Sequence, residues 1–511
     1  MMAADSTTAA LADHDDNLTL ERMEQNSMIK RYQICFLAIL VTMGLQITQA
    51  QLAEDALRYS QLGLGVGARE LGMGNATVGG VNDYSALFWN PAGLALERDF
   101  EFSFGLSRIG YTNDVSYLGT KTSSNNNAVN LNNLGLVYPI PTFRGSLTFA
   151  FGFNRAANYT STASMSAFNP SSSFSQATFL SSNRSLDNNI PYQLFLANKD
   201  SLERVTPILN GNVQQAIDVI EGGGLNHWTV GGAMDIGENL SLGVSLNFAS
   251  GSYSYDQTVA ESDTRNNYPS PPNDFQQFNY ENTYNDDING FNALFGLMFR
   301  KPGKYSIGFA IRTINTYDIS ETFTESATSQ FKTPDSSGNK AYEYPLTSNS
   351  IKYRVTTPYV LSGGISVQPL DWLLLAGDVE YIDWTQMEIK ADRIDFSEQN
   401  SRIKNEMRAT TNLRGGIEVS LFNLGLKLRG GIIDNPSPWK GDPSSRDQLY
   451  YTAGIGYTLD ERTTLNAAYA YGSWKSLRSN YSYNASGLLY DVGTDETITT
   501  NNINLTLSFR F

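Results

Sequence analysis

Six charged residues fall on three late apolar segments at same-parity positions: Asp378 and Glu380, Arg414 and Glu418, Lys427 and Arg429. In an extended chain, residues two or four apart lie on one face. Opposite signs on successive segments can pair into a ladder, or the cations can receive an anionic head group. Either use is binding chemistry. Catalysis has little to work with. A Ser–His pair would rest on His227, since the other histidine, His14, lies near the start, and a lone histidine there reads as structural. No Cys/His cluster offers a zinc or haem site. Asn285-Asp286-Asp287 could attract a divalent cation, but its spacing matches no calcium loop. Glycines 63–67 lack the strand–helix context of a phosphate loop. The expectation is therefore no enzyme, no cofactor and no metal.

The elements that carry these charges alternate. Leu147-Thr-Phe-Ala-Phe-Gly-Phe153, Leu240-Ser-Leu-Gly-Val-Ser-Leu-Asn-Phe248 and Tyr305-Ser-Ile-Gly-Phe-Ala-Ile311 place large apolar residues on one face and small or polar ones on the other. A sandwich would alternate too, but here the small face suits a crowded or wet lumen. Connections are lopsided. Tight ones occur near 139–144, 237–239, 301–304, 368–371, 422–423 and 460–462. Long polar ones fall at 113–130, 161–226, 254–286, 325–350, 388–408, 434–447 and 476–498. Short turns at one end and long loops at the other mark an outer-membrane barrel. The alternating segments number fourteen, near 100–112, 131–140, 144–160, 227–236, 240–255, 287–300, 304–322, 351–367, 372–387, 409–421, 424–433, 448–459, 462–475 and 499–511. The fold class is thus all-β: a 14-stranded antiparallel transmembrane β-barrel over 99–511, expected as a monomer. Closure satisfies the edges that lipid could not. The aromatic last residue, Phe511, is the kind of ending that barrel-assembly machinery reads. In the long loop 161–226, Leu209, Val213, Ile217 and Ile220 recur at helical spacing, which predicts a helix there, resting on the rim or gathering an apolar ligand.

The N-terminal end is different. Residues 28–50 have a basic start at Lys30 and Arg31, an apolar centre and a small-residue end, the pattern of a signal peptide cut before Gln51. Residues 1–27 are polar and aperiodic and read as an over-extended start, with Met28 the initiator. Residues 1–50 hold three basic and six acidic residues, so the remainder has 33 against 45, a net −12. An acidic surface disfavours nucleic acid. The single cysteine, Cys35, falls within the signal segment, leaving no thiol or disulfide beyond it.

Residues 51–98 do not alternate. Seven glycines between 63 and 80 permit tight turns, Asn90 suits a helix N-cap, and Pro91 suits the first helical position. A largely uncharged segment beside a barrel can fill its lumen. The run GARELGMGNATVGGVNDYSALFWNPAGLAL, 67–96, resembles the N-terminal hatch of the FadL/TodX family of outer-membrane transporters for hydrophobic compounds. The D-x-x-A-x-x-x-N-P-A pattern is carried by Asp83, Ala86, Asn90, Pro91 and Ala92. A second stretch, Thr357-Pro358 to Asp371-Trp372 with Asp378 and Asp383-Trp384, is similar to a late hairpin of that family. The resemblance implies passive uptake of fatty acids or hydrocarbons through a hatch-gated barrel in the outer membrane, among outer-membrane lipids. It also implies sideways exit through a gap in the wall, for which a bulge near 152–158 is the candidate. Arg69, Arg414, Lys427 and Arg429 are the candidate head-group cations; Asp83, Ala86, Asn90, Pro91 and Ala92 are the hatch motif. The run 67–74 also resembles PorV-like barrels that serve protein secretion, so a secretion-associated barrel, or a structural and adhesive one, is the alternative.

Overall fold

A computed structural model describes residues 49–177, 189–199, 205–271, 274–485 and 488–511. The expected extension 1–27 and nearly all of the expected signal segment 28–50 lie outside the described residues.

Alternation becomes two chemically distinct surfaces. On β8 (Leu240–Ser262) Leu242, Val244, Leu246 and Phe248 are exposed while Ser241, Ser245 and Asn247 are buried. In water that would be an inverted protein. Around a lumen it is an apolar outer wall for a bilayer and a small, polar inner wall. The wall begins with β1 (Glu101–Tyr117), β2 (Thr120–Ile140), β3 (Leu147–Asn158) and β4 (Ser161–Asn169). A two-stranded insert, β5 (Ala197–Lys199) and β6 (Val205–Pro207), stands apart from it. It continues through β7 (Val213–Gly237), β8, β9 (Phe275–Lys301), β10 (Tyr305–Arg312) and β11 (Thr316–Phe331). Next come β12 (Ala341–Thr356), β13 (Val360–Leu370), β14 (Leu373–Asp383) and β15 (Glu388–Lys390). The last are β16 (Ala409–Leu421), β17 (Leu426–Asn435), β18 (Gln448–Thr458), β19 (Thr463–Ala485) and β20 (Leu488–Arg510). Four wall strands are interrupted, so β3 with β4, β10 with β11, β12 with β13, and β14 with β15 each cross once. The crossings number fourteen, all neighbours are antiparallel, and β1 closes the barrel by pairing both β2 and β20.

The wall is taller than the alternation of large residues suggests. Much of 113–130, 161–226, 254–286, 325–350 and 476–498, expected as loop, continues the strands. β1 and β2 stay paired to Tyr117↔Thr120, and β8 and β9 to Ser262↔Gln277. A crossing strand needs about ten residues; β9 has 27. Beyond the bilayer an outward residue need not be apolar, so the signal of large residues stops where the lipid stops and the ladder does not. The wall is also lopsided. β16, β17 and β18 have 13, 10 and 11 residues; α5 (Ser397–Glu406) precedes β16, and a longer loop joins β17 to β18.

The helix expected over 209–220 is not there. Residues 213 onward form β7, where Val213, Ile217 and Val219 point inward and Ile220 is 55% exposed. A spacing of four fits both a period of 3.6 and a period of two. β-Branched Val and Ile favour the extended form, and pairing with β4 and β8 on both sides decides it. The described helix inside 161–226 is α4, four residues, Ile190–Gln193. Its neighbours fold inward. Phe174, Ile190, Leu194, Leu196 and Leu209 are buried against Met165, Phe275, Phe278, Phe331 and Tyr481. Those wall residues come from strands all around the tall side, so this insert fills the outer end of the lumen.

Candidate functional site

Below the insert lies the N-terminal segment: α1 (Gln49–Ser60), α2 (Ala68–Gly72), α3 (Ala86–Trp89) and a 3-10 turn, Pro91–Leu96. Asn90 ends α3 and starts the turn. Its side-chain oxygen accepts from Ala92 N at 3.2 Å, while its amide donates to Val78 O at 2.8 Å and Leu297 O at 3.3 Å. One side chain thus caps a turn, ties two parts of the segment together and reaches the wall. The wall makes room with glycine. A Cβ on Gly296 would lie 2.1 Å from Asn90 Oδ1, and one on Gly308 would lie 1.9 Å from Val78 O. Asp83 Oδ1 accepts from Ser85 N at 2.9 Å and Ser85 Oγ at 2.5 Å. Ala86 and Ala92 are fully buried. Asp378 Oδ2 accepts from Thr77 N at 2.6 Å and Val78 N at 2.8 Å, a charged clasp between wall and segment. Asn90, Pro91 and Ala92 thus meet the wall at Gly243 and Gly296, while Asp83 caps Ser85 and lies 3.7 Å from Arg69.

The four candidate head-group cations separate. Arg429 donates to Glu418 at 2.7 Å and to Asn466 at 2.9 Å. Lys427 lies 3.5 Å and Arg69 3.8 Å from the same Glu418. Arg69 also reaches Asn82 at 2.5 Å and Asp83 at 3.7 Å. These three cations are committed to protein carboxylates. Nearby Glu70 is buried, and burial, with Asp83 adding to it, pushes its carboxyl up to about 8, against the partial relief of Arg69. Arg414 stands elsewhere. It donates to Glu380 at 2.6 Å, which also accepts from Asn412 at 3.0 Å.

Arg414 lines a cavity of about 260 Å³ between the N-terminal segment and the low side of the wall. The segment contributes Leu57, Ser60–Leu64, Phe88 and Trp89; the wall and its loops contribute Trp384, Trp439 and Trp474. A second arginine, Arg312, lines it too, and donates to Phe88 O at 2.8 Å. The two guanidiniums sit near adjacent rings: Arg312 Cζ is 5.1 Å from the Phe88 centroid and Arg414 Cζ 5.5 Å from that of Trp89. The reading of the sequence missed Arg312. The signal was present, because Gly308, Ala310 and Arg312 share the inward parity of β10 opposite Phe309 and Ile311.

The irregularity expected at 152–158 is also a feature of the wall. The β2–β3 ladder stops at Asn133↔Asn154, and β3 slips register against β7 between Arg155 and Ala157. The N-terminal segment covers this seam from within. Gly63 N donates to Ala156 O at 2.8 Å, and the Asn132 amide bridges Gly67 N and Gly65 O at 3.1 and 3.2 Å.

His227 is fully buried on β7, with its ring 6.4 Å from that of Phe88. Asp286 on β9 is buried and accepts from the Tyr59 hydroxyl of α1, whereas Asp287 is exposed. Among the described residues no group of three or more His, Cys, Asp and Glu side chains is placed to hold a metal.

With this geometry in view, the chain compares with known proteins as follows. A family model described as BamG matches residues 208–411, less than half of the chain. No curated protein matches the sequence. The structure is similar to the Pseudomonas putida toluene transporter TodX, with a TM-score of 0.52 and 14% identity, over 88% of this chain and 99% of that one. It is similar in the same degree to a Pseudomonas aeruginosa FadL homologue, with a TM-score of 0.53 and 14% identity, over 88% and 99% of the two chains. The fold is that of the FadL/TodX barrels. A closed barrel of this fold with an apolar outer belt is a bacterial outer-membrane protein.

Proposed function

We propose that this barrel carries small hydrophobic compounds passively across the outer membrane, with the N-terminal segment as a movable hatch. The carrying observation is the cavity itself, because one of its walls is the hatch. Anything bound there touches Phe88 and Trp89, the two residues before Asn90 and Pro91. Binding an apolar compound is spontaneous, at about 0.8 kcal/mol per buried methylene, so fatty acids and hydrocarbons both fall in the class. Release requires the pocket to change, and a hatch fastened by Asn90 and Asp378 is an element that can let go. Exit would follow the seam at 154–158, which the hatch covers from inside. The assembly machinery would insert the protein as a single-chain barrel.

A second reading is favoured by one observation. The insert around Phe174, Ile190 and Leu194 closes the outer lumen with apolar packing. A barrel shut in this way also suits a secretion-associated or structural role with a protein partner on its tall rim.

Native mass spectrometry and lipid extraction of the barrel in mild detergent separate the two. A co-purifying hydrophobic compound, with occupancy changed by the double variant Asn90→Ala, Pro91→Ala, is the outcome expected of a transporter. A lumen that stays empty when hydrophobic compounds are added, with a protein partner retained, would overturn it.

A further inference from the structure

The lining of the cavity is chemically unlike the rest of the chain. The whole sequence has a net charge of −15. The cavity is lined by four cations, Arg312, Arg414, Arg446 and Lys475, against two carboxylates, Glu380 and Asp442. Two pairs cancel: Arg414 with Glu380 at 2.6 Å, and Arg446 with Asp442. Arg312 and Lys475 remain, and no ion pair among the described residues takes either. The hydrogen-bonding ledger agrees. Arg312 Nη1 and Arg414 Nε and Nη1 are buried nitrogens without an acceptor in the protein. Buried donors normally have partners, and a charged one left alone is expensive. These nitrogens are closed off as the side chains stand, and the uncancelled charge of Arg312 beside the cavity is what an anionic group such as a carboxylate would neutralise.

The uncharged lining mixes aliphatic residues such as Leu62, Leu64 and Ile433 and polar ones such as Ser362 and Asn412 with a group of rings. Four of the chain's six tryptophans, Trp89, Trp384, Trp439 and Trp474, line the cavity together with Phe88. Two of the indole N–H groups are turned away to the protein, Trp89 to Val66 O at 3.0 Å and Trp384 to Thr410 Oγ1 at 2.9 Å. Ring faces and edges are what remain for a ligand, and these favour another ring. Size sets the last limit. An apolar cavity of roughly 150 Å³ accommodates benzene, and pockets for drug-sized molecules begin near 300 Å³. A volume of about 260 Å³ accommodates one ring with a short acidic side chain.

We propose that the cavity is a binding site for a compact aromatic carboxylate, its acid group held between Arg312 and Arg414 and its ring packed on the tryptophans. The inference rests on the transport reading for the compound's passage, but not for its binding.

The test is isothermal titration calorimetry of the full-length barrel in mild detergent with three probes: trans-cinnamate, the neutral cinnamamide, and palmitate. Cinnamate is expected to bind at least tenfold more tightly than the amide, and at least as tightly as palmitate. Arg312→Met is expected to bring acid and amide within about threefold of each other, and Arg312→Lys to restore part of the preference. Heat-modifiable electrophoretic mobility verifies that each variant is a folded barrel. Equal binding of acid and amide to the unaltered protein overturns the proposal. So does an acid preference that survives in Arg312→Met, a palmitate affinity tenfold above that of cinnamate, or uptake of anions no larger than chloride alone. Flux through proteoliposomes distinguishes the two levels. Toluene flux without acid discrimination removes this inference and leaves transport standing; cinnamate binding without flux of any probe does the reverse.

Discussion

Two groups of cations face the lumen, and they are partnered in opposite ways. Around Glu418, Arg69, Lys427 and Arg429 converge from the hatch and β17 on one carboxylate, with Asn82, Asp83 and Asn466 taking further donors. Around Phe88 and Trp89, Arg312 and Arg414 present three buried nitrogens that nothing in the protein accepts. The first group joins the N-terminal segment to the wall through Glu418. In the second, Glu380 pairs with Arg414, and Arg312 is left without an ion-pair partner beside a cavity. A charge in a lumen says little by sign or position alone; what separates a strut from a site is whether its donors are already used.

The comparison breaks most visibly at Glu418. Glu418→Gln removes the one carboxylate that serves three cations, and leaving a buried charge unpaired costs about 3 kcal/mol. Urea unfolding of the barrel in detergent should show a loss of that size, with earlier protease cleavage of the hatch. Adding Arg429→Met should recover part of it, since the orphaned cation is then gone. If Glu418→Gln unfolds like the unaltered protein, the group is not a strut.

Acidity should sharpen the difference by a smaller amount. Burial raises Glu70 to about 8 from its ordinary 4.5, and burial with Glu101 raises Glu97 to about 8 despite Arg510. Both lie in the hatch segment or at its end. A carboxyl with a raised folded-state value binds its proton more tightly when folded. Its contribution is therefore complete below about pH 4.5 and is lost as the pH rises to about 8. Hatch protection from protease should be greater at pH 5 than at pH 9, and Glu70→Gln should flatten that dependence. A protection that rises with pH would contradict the burial of these groups as described.

The smallest effect is expected at the other group. Arg312→Met loses the hydrogen bond to Phe88 O but also removes an uncompensated buried cation and keeps most of the apolar stem, so the two effects offset and unfolding should move by less than about 1 kcal/mol. A loss as large as that of Glu418→Gln would show Arg312 to be a strut after all, and the distinction between the two groups would fall.

Much of this was legible from residues alone. Alternation reported the crossing strands, and its parity placed Asp378, Arg414, Glu418, Lys427 and Arg429 inward. Asn90-Pro91 reported a capped turn, and the glycines a segment packed by its backbone. Other features were not legible. The strands run on past the bilayer because a polar strand in water carries no lipid-facing mark. Leu209 to Ile220 read as a helix because a spacing of four serves both periods, and only the neighbours β4 and β8 distinguish them.

The sequence by itself determined which side chains face the lumen, since strand parity is local and a slip of one residue would turn an apolar face inward. Only the tertiary structure decided which of them meet. Arg69 lies hundreds of positions before Glu418, and Arg312 about a hundred before Arg414, and nothing local sets their heights along the barrel. The ladder register and the seating of the hatch do so, and these same two arrangements leave Arg312 and Arg414 together beside a cavity with donors to spare.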